Sequence, residues 1–142
     1  MKRRRPSVGS AIQVALPNGM YAYGRVLRDA SVAFYRALTS IPMKPPIGSR
    51  DFLFTVGVHD DVLTSDRCVV VGHDPSTNID DDWPPPYAVK DAITGQCKIY
   101  HMGALRPATE TECQDLEPAA VWDYVHLSER LLAGLARGQR AN

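Results

Sequence analysis

Signatures of chemistry are what this sequence has least of. It contains no GxGxxG, no phosphate-binding glycine loop, no HExxH and no HxH. Dinucleotide cradles and the common zinc-hydrolase arrangements therefore have no support in the chain. Its three cysteines, Cys68, Cys97 and Cys113, are an odd number without CxxC spacing, which argues against a disulfide framework and a structural zinc site and fits a reducing cytoplasm. Cys68 and Cys97 fall in strand-like segments and read as core thiols. No apolar run reaches the roughly 18 residues of a membrane-spanning helix. The basic start, Met1 to Pro6, is followed by no apolar stretch of the signal-peptide kind, so secretion by that route is not expected. No cofactor is expected.

Present instead is a hairpin written in sequence. Ser10 to Leu27 reads SAIQVALPNGMYAYGRVL, two runs of strand formers around Pro17-Asn18-Gly19, and Asn-Gly is the strongest short-range hairpin signal. Ile12, Val14 and Leu16 alternate with Gln13 and Ala15. In the second arm Tyr21, Tyr23, Arg25 and Leu27 share one face. Gly24 lies on the other face and marks a bulge or bend. Val32 and Phe34 predict a third strand. Phe52, Phe54, Val56 and Val58 predict a fourth, ended by His59-Asp60-Asp61. Between them, Ile41 to Gly48 holds three prolines and reads as a loop. Cys68 to Gly72 is continuously apolar, consistent with a central strand.

Asp74 to Pro86 is the longest predicted loop. It carries Asp80, Asp81, Asp82 and Trp83 and ends in prolines. Tyr87–Val89 and Lys98–His101 predict a second hairpin turned through Asp91 to Gly95. Thr109 and Glu112 have capping-box spacing, opening a short helix through about Asp115. A longer helix is predicted from about Pro118, with Val121, Val125, Leu132 and Leu135 as its apolar stripe, Trp122 in the core, His126 at the boundary and Gly138 as its stop. The fold expected is mainly β with some helix (α+β). It is a small antiparallel, partly open barrel or curled sheet with a C-terminal helix packed on it. One domain is expected over residues 9–137, with a disordered basic tail at 1–8 and a disordered tail at 138–142.

Net charge is zero, but it is unevenly divided. Residues 1–50 hold nine Lys or Arg against one Asp, and residues 51–142 hold seven against fifteen Asp or Glu. Either the halves fold together and their fields cancel, or the surface keeps separate lobes that steer a charged partner.

Several blocks together resemble one family. They are Tyr21-Ala22-Tyr23-Gly24-Arg25-Val26-Leu27; Phe54-Thr55-Val56-Gly57-Val58-His59-Asp60-Asp61; Val71-Gly72-His73; and Arg106-Pro107-Ala108-Thr109 followed by Glu117-Pro118-Ala119-Ala120-Val121-Trp122-Asp123. In order and spacing they are similar to the twenty-sixth bacterial immunity protein family of polymorphic-toxin loci, some of whose members carry a phosphotriesterase label. The blocks span roughly residues 9–130. The chain departs from the pattern in lacking an acidic residue near Ser10 and in its basic start. The resemblance implies a cytoplasmic protein, without a cofactor, that neutralises a cognate toxin domain by occlusion rather than catalysis. On that reading the partner-binding candidates are Tyr21, Tyr23, Arg25, Asp60, Asp61, Asp80, Asp81, Asp82 and Trp83, on a monomer or weak homodimer. Arg106, before a proline, reads as a structural ion-pair residue.

Two other readings stay open. His59, Asp61, His73 and Asp74 could hold a metal and activate water for phosphoester hydrolysis, although both pairs sit at strand ends where Asp commonly caps turns. The basic tail and the Tyr21, Tyr23, Arg25 face would suit single-stranded nucleic acid, against which stands the acidic body.

Overall fold

The computed structural model describes residues 4–140, with side chains for 4–134. Its first hairpin forms where the sequence places it: β1 (Ser10–Ala15) pairs antiparallel with β2 (Tyr21–Val26). Only Gly19 of the turn takes positive φ, at 82°. The Asn18 side chain accepts from the Met20 N–H at 3.1 Å, so the turn is a three-residue loop closed by a left-handed glycine. The next turn is the tight one. Asp29 and Ala30 both take positive φ, 58° and 54°, and connect β2 to β3 (Ser31–Thr39). Neither is glycine, so the turn carries backbone strain.

β4 (Phe52–Val58) continues the meander, and β5 (Cys68–His73) returns to pair with β1. The six-stranded sheet runs β10 (Val121–Trp122)-β4-β3-β2-β1-β5. β5 is thus an edge strand, not the central one its apolar run predicts, and Val70 is 53% exposed. Between β4 and β5 lies a short helix, α1 (Asp60–Thr64), where the sequence had suggested only a strand end; it buries Val62 and Leu63.

β6 (Tyr87–Lys90) and β7 (Cys97–His101) form the second predicted hairpin, and β8 (Ala104–Ala108) extends it. α2 (Glu110–Cys113) opens on the predicted Thr109–Glu112 capping box. The following segment is not helix. Glu117–Pro118 pairs in parallel with β6 as β9, and Val121–Trp122 pairs in parallel with β4 as β10. Residues 117–122 therefore lace the two sheets together, and α3 begins only at Tyr124 and runs through Gly138 to Arg140. The glycine does not stop it, and residues 141 and 142 lie outside the described ones. The Asp123 carboxylate accepts from the His126 N–H at 2.8 Å and caps this start.

The later start rotates the helix's buried face. Val121 and Val125 are exposed, whereas Leu127 and Leu131 are fully buried; each such leucine contributes about 1.5–3 kcal/mol. The Leu135 side chain lies outside the described ones. Trp122 packs at the margin of the core and His126 is exposed. The main core lies between α3, α1 and one face of the six-stranded sheet, with Ile12, Val14, Val26, Phe34 and Val56. Gly24 is needed there: a Cβ would sit 2.6 Å from Val32 Cγ1, and the β2–β3 register shifts beside it.

The chain is mainly β, a curled pair of mixed sheets with a C-terminal helix, and neither sheet closes into a barrel. The Ser31 and Tyr87 hydroxyls meet at 2.9 Å between the sheets. Nearby, Arg130 grips both Glu117 oxygens at 2.7 and 2.8 Å while lying over the Phe54 ring at 4.0 Å. Among the described residues no helix is long and apolar enough to cross a membrane. Part of the predicted N-terminal tail is tied down, since Arg5 pairs with Asp60; residues 1–3 lie outside the described ones.

Candidate functional site

The sheet face opposite α3 is covered by loops rather than helices, and a polar cluster does the covering. At its centre is Arg25. Strand alternation sends its side chain away from the apolar core, where the loop from Asp74 to Trp83 closes over it. Arg25 is 1% exposed. Its Nε donates to the Asp74 carbonyl at 2.9 Å, one terminal nitrogen to the Asp81 carbonyl at 2.8 Å, and the other to Asp82 Oδ1 at 2.8 Å. A buried guanidinium without such partners would be strongly destabilising.

Asp74 is fully buried beside it. Tyr35 donates its hydroxyl to Asp74 Oδ2, and Arg50 bridges both carboxylate oxygens at 3.0 and 3.1 Å. Burial alone would raise the Asp74 pKa. The bonds from Tyr35, the Gly48 N–H and Arg50 outweigh it and hold the group below the usual carboxylate range. Burial and the same bond to Asp74 push the Tyr35 phenol up, so it stays protonated as a donor. Arg50 also reaches Asp81 at 3.4 Å and the Pro75 carbonyl at 3.0 Å. Asp81 accepts from the Thr77 hydroxyl and N–H at 2.6 and 2.8 Å, which with Arg50 brings its pKa down to about 2.

This geometry turns the predicted open loop into a fixed ridge. Ile79–Asp82 forms one 3₁₀ turn capped by Asn78, whose side chain accepts from the Asp80 N–H at 2.7 Å. Ile79 stands 76% exposed on it, Asp80 is exposed beside it, and Arg28 lies 5.1 Å over the half-buried Trp83 ring.

The sequence candidates therefore divide. Asp80 and Trp83 present themselves to solvent. Asp81 and Asp82 hold the ridge from beneath. Tyr23 and Arg25, expected on a recognition face, are buried and serve as anchors. The Tyr23 hydroxyl meets Thr39 at 2.9 Å and accepts from the Met43 N–H at 2.9 Å, pinning the proline-rich loop; Tyr21 is half-buried. Of Tyr21, Tyr23 and Arg25, only Tyr21 keeps part of its surface open. Asp60 and Asp61 lie in the first turn of α1, whose Val62 and Leu63 belong to the main core, and Asp60 pairs with Arg5.

The metal reading is not supported by the arrangement. Among the described residues no three His, Cys, Asp or Glu side chains come together as a metal site requires. Asp74 is committed to Tyr35 and Arg50, while the His73 ring lies exposed beside Gly9. Tyr35, Arg50 and Thr77 escaped the sequence reading. The available signal was Arg25 itself, a charge on a strand face otherwise carrying aromatics and leucine. Arg106 does form an ion pair, with Glu112 at 3.1 Å.

The charge asymmetry also resolves. Arg5 pairs with Asp60, Arg25 with Asp82, Arg36 with Asp51, and Arg50 with Asp74 and Asp81. In each pair the cation comes from the basic half and the carboxylate from the acidic half, so much of the separation is cancelled internally.

The fold and ridge define a β-rich protein that presents a clamped acidic and apolar turn. Compared with protein-family models, with curated proteins and with solved structures, the chain gives no match in any of the three.

Proposed function

We propose that this protein is a cytoplasmic binder that neutralises a toxin domain by covering it, in the manner of the immunity proteins it resembles. The observation that carries the reading is the Ile79–Trp83 ridge: an exposed isoleucine, an exposed carboxylate and a half-exposed tryptophan on a turn held by the buried Arg25 fork. A clamped turn loses little conformational freedom on binding, which favours affinity. The exposed Asp80 carboxylate at its crest suits a basic cleft and raises the association rate. Tryptophan is the residue type most often found at interface hot spots.

The mechanism needs no bond-making by this chain. The ridge enters or caps the toxin's functional cleft, Asp80 meets cationic groups there, and Ile79 and Trp83 bury apolar area. The test is co-expression with the toxin encoded beside the gene. The chain is expected to protect a sensitive host and form a one-to-one complex by calorimetry. Protection that persists undiminished after replacing Ile79, Asp80 and Trp83 with alanine would remove the ridge from the mechanism, and failure to form any complex would remove the function.

A further inference from the structure

Away from the ridge, the second sheet holds a cavity of about 690 Å³ lined by Lys90, Cys97, Glu110, Cys113, Gln114 and Leu116, among others. The two cysteines come from different elements. Cys97 opens β7 and is half-buried; Cys113 ends α2 and is buried. α2 packs against β7, which places Cys113 Sγ 3.6 Å from the carbonyl of Lys98, the residue next to Cys97. Both cysteines line this one cavity, so their thiols are neighbours. Cys68, the third cysteine, lies in the main core.

We propose that Cys97 and Cys113 form a thiol-exchange site that takes a low-molecular-weight disulfide from the cavity and closes into an intramolecular disulfide joining β7 to α2. The geometry assigns the order of events. Cys97 is the more accessible sulfur, so its thiolate attacks one sulfur of the small disulfide; the sulfur–sulfur bond breaks and one small thiolate leaves. The Cys113 thiol then gives up its proton, its sulfur attacks the Cys97 sulfur, and the second small thiolate departs. Two protein thiols are oxidised and one small disulfide is reduced to two thiols. Burial and the neighbouring Cys97 thiol push the Cys113 thiol pKa up, so Cys113 holds its proton until the mixed disulfide brings an electrophilic sulfur beside it. Lys90, Glu110 and Gln114 around the same cavity supply polar contacts for a charged or peptide-like disulfide. In a reducing compartment such a bond is transient and reports the redox state.

The test uses the full chain with glutathione disulfide as probe, read by intact mass after acid quench and by mapping of the linked peptides. Wild type is expected to lose two hydrogens, to yield the Cys97–Cys113 linked peptide, and to keep Cys68 as its one remaining thiol. Cys113→Ser is expected to accumulate a glutathione adduct at Cys97. Cys97→Ser is expected to react at least about tenfold more slowly, its remaining thiols being buried. A glutathione adduct that persists on wild type without ring closure would overturn the proposal, as would a linked peptide containing Cys68. Wild-type mapping needs no variant, so poor folding of either serine variant leaves the answer intact.

Discussion

Arg25 and Asp82 lie 57 positions apart in the chain, yet a guanidinium nitrogen of one donates to a carboxylate oxygen of the other at 2.8 Å. This contact joins a central strand to the base of the acidic turn, so the sheet fixes the shape of the ridge. Replacing Arg25 with methionine leaves Asp82 and two loop carbonyls without their donor. The expected loss is about 3–5 kcal/mol in urea unfolding, the cost of breaking a buried pair from one side. Lysine is expected to recover little, because it cannot present three donors in a planar fork.

The cluster also sets acid sensitivity. Asp74 and Asp81 both sit below their ordinary value of about 3.9. A folded-state pKa below the unfolded one adds stability that is complete above the unfolded value and lost as pH falls through the folded one. For Asp81 that window runs from the ordinary value down to about 2. Unfolding followed through this range is expected to show a flatter decline in Asp81→Asn than in wild type. Carbon-detected titration of Thr77→Val is expected to return the Asp81 pKa toward its ordinary value.

The β2–β3 turn holds Ala30 at φ 54°. A left-handed conformation costs a non-glycine residue about 1–2 kcal/mol, and a new glycine returns about 0.4–1 kcal/mol of that to the unfolded chain. Ala30→Gly is therefore expected to stabilise by about 0.5 kcal/mol or more, measured as a higher urea midpoint with an unchanged slope.

Gly57 faces the chain that laces the sheets together. A Cβ there would lie 2.9 Å from the Ala120 carbonyl oxygen, a backbone atom with little room to move. Gly57→Ala is expected to destabilise by about 1–3 kcal/mol, as other overpacked sites do. Faster hydrogen exchange at the His59 N–H, which donates to the Trp122 carbonyl at 3.0 Å, would locate the damage at β10.

On the ridge, Trp83 and Asp80 should separate kinetically. On the proposed function, Trp83→Ala is expected to weaken binding of the toxin domain at least about tenfold, mainly by faster dissociation. Asp80→Asn is expected to slow association and reduce its salt dependence while leaving dissociation nearly unchanged. Stopped-flow binding at two ionic strengths checks both.

Local signals were legible because they act over a few residues. Gly19 with Asn18, Thr109 with Glu112, and the alternation of Val56 and Val58 each name a conformation from neighbours alone, and the main strands and the capped turn follow. Tertiary structure decided what depends on distant cover. Strand alternation puts Tyr23 and Arg25 on one face but cannot say that residues 74–83 close over it. The apolar run at Val69 to Val71 fits a central strand as well as an edge; β1 has only two sides, and β2 already fills one. Pro118 could have opened a helix, but pairing of Glu117–Pro118 with β6 and Val121–Trp122 with β4 satisfies that backbone between two sheets. Local conformation is encoded within a turn or a strand, whereas burial is a property of whichever remote segment arrives to exclude water.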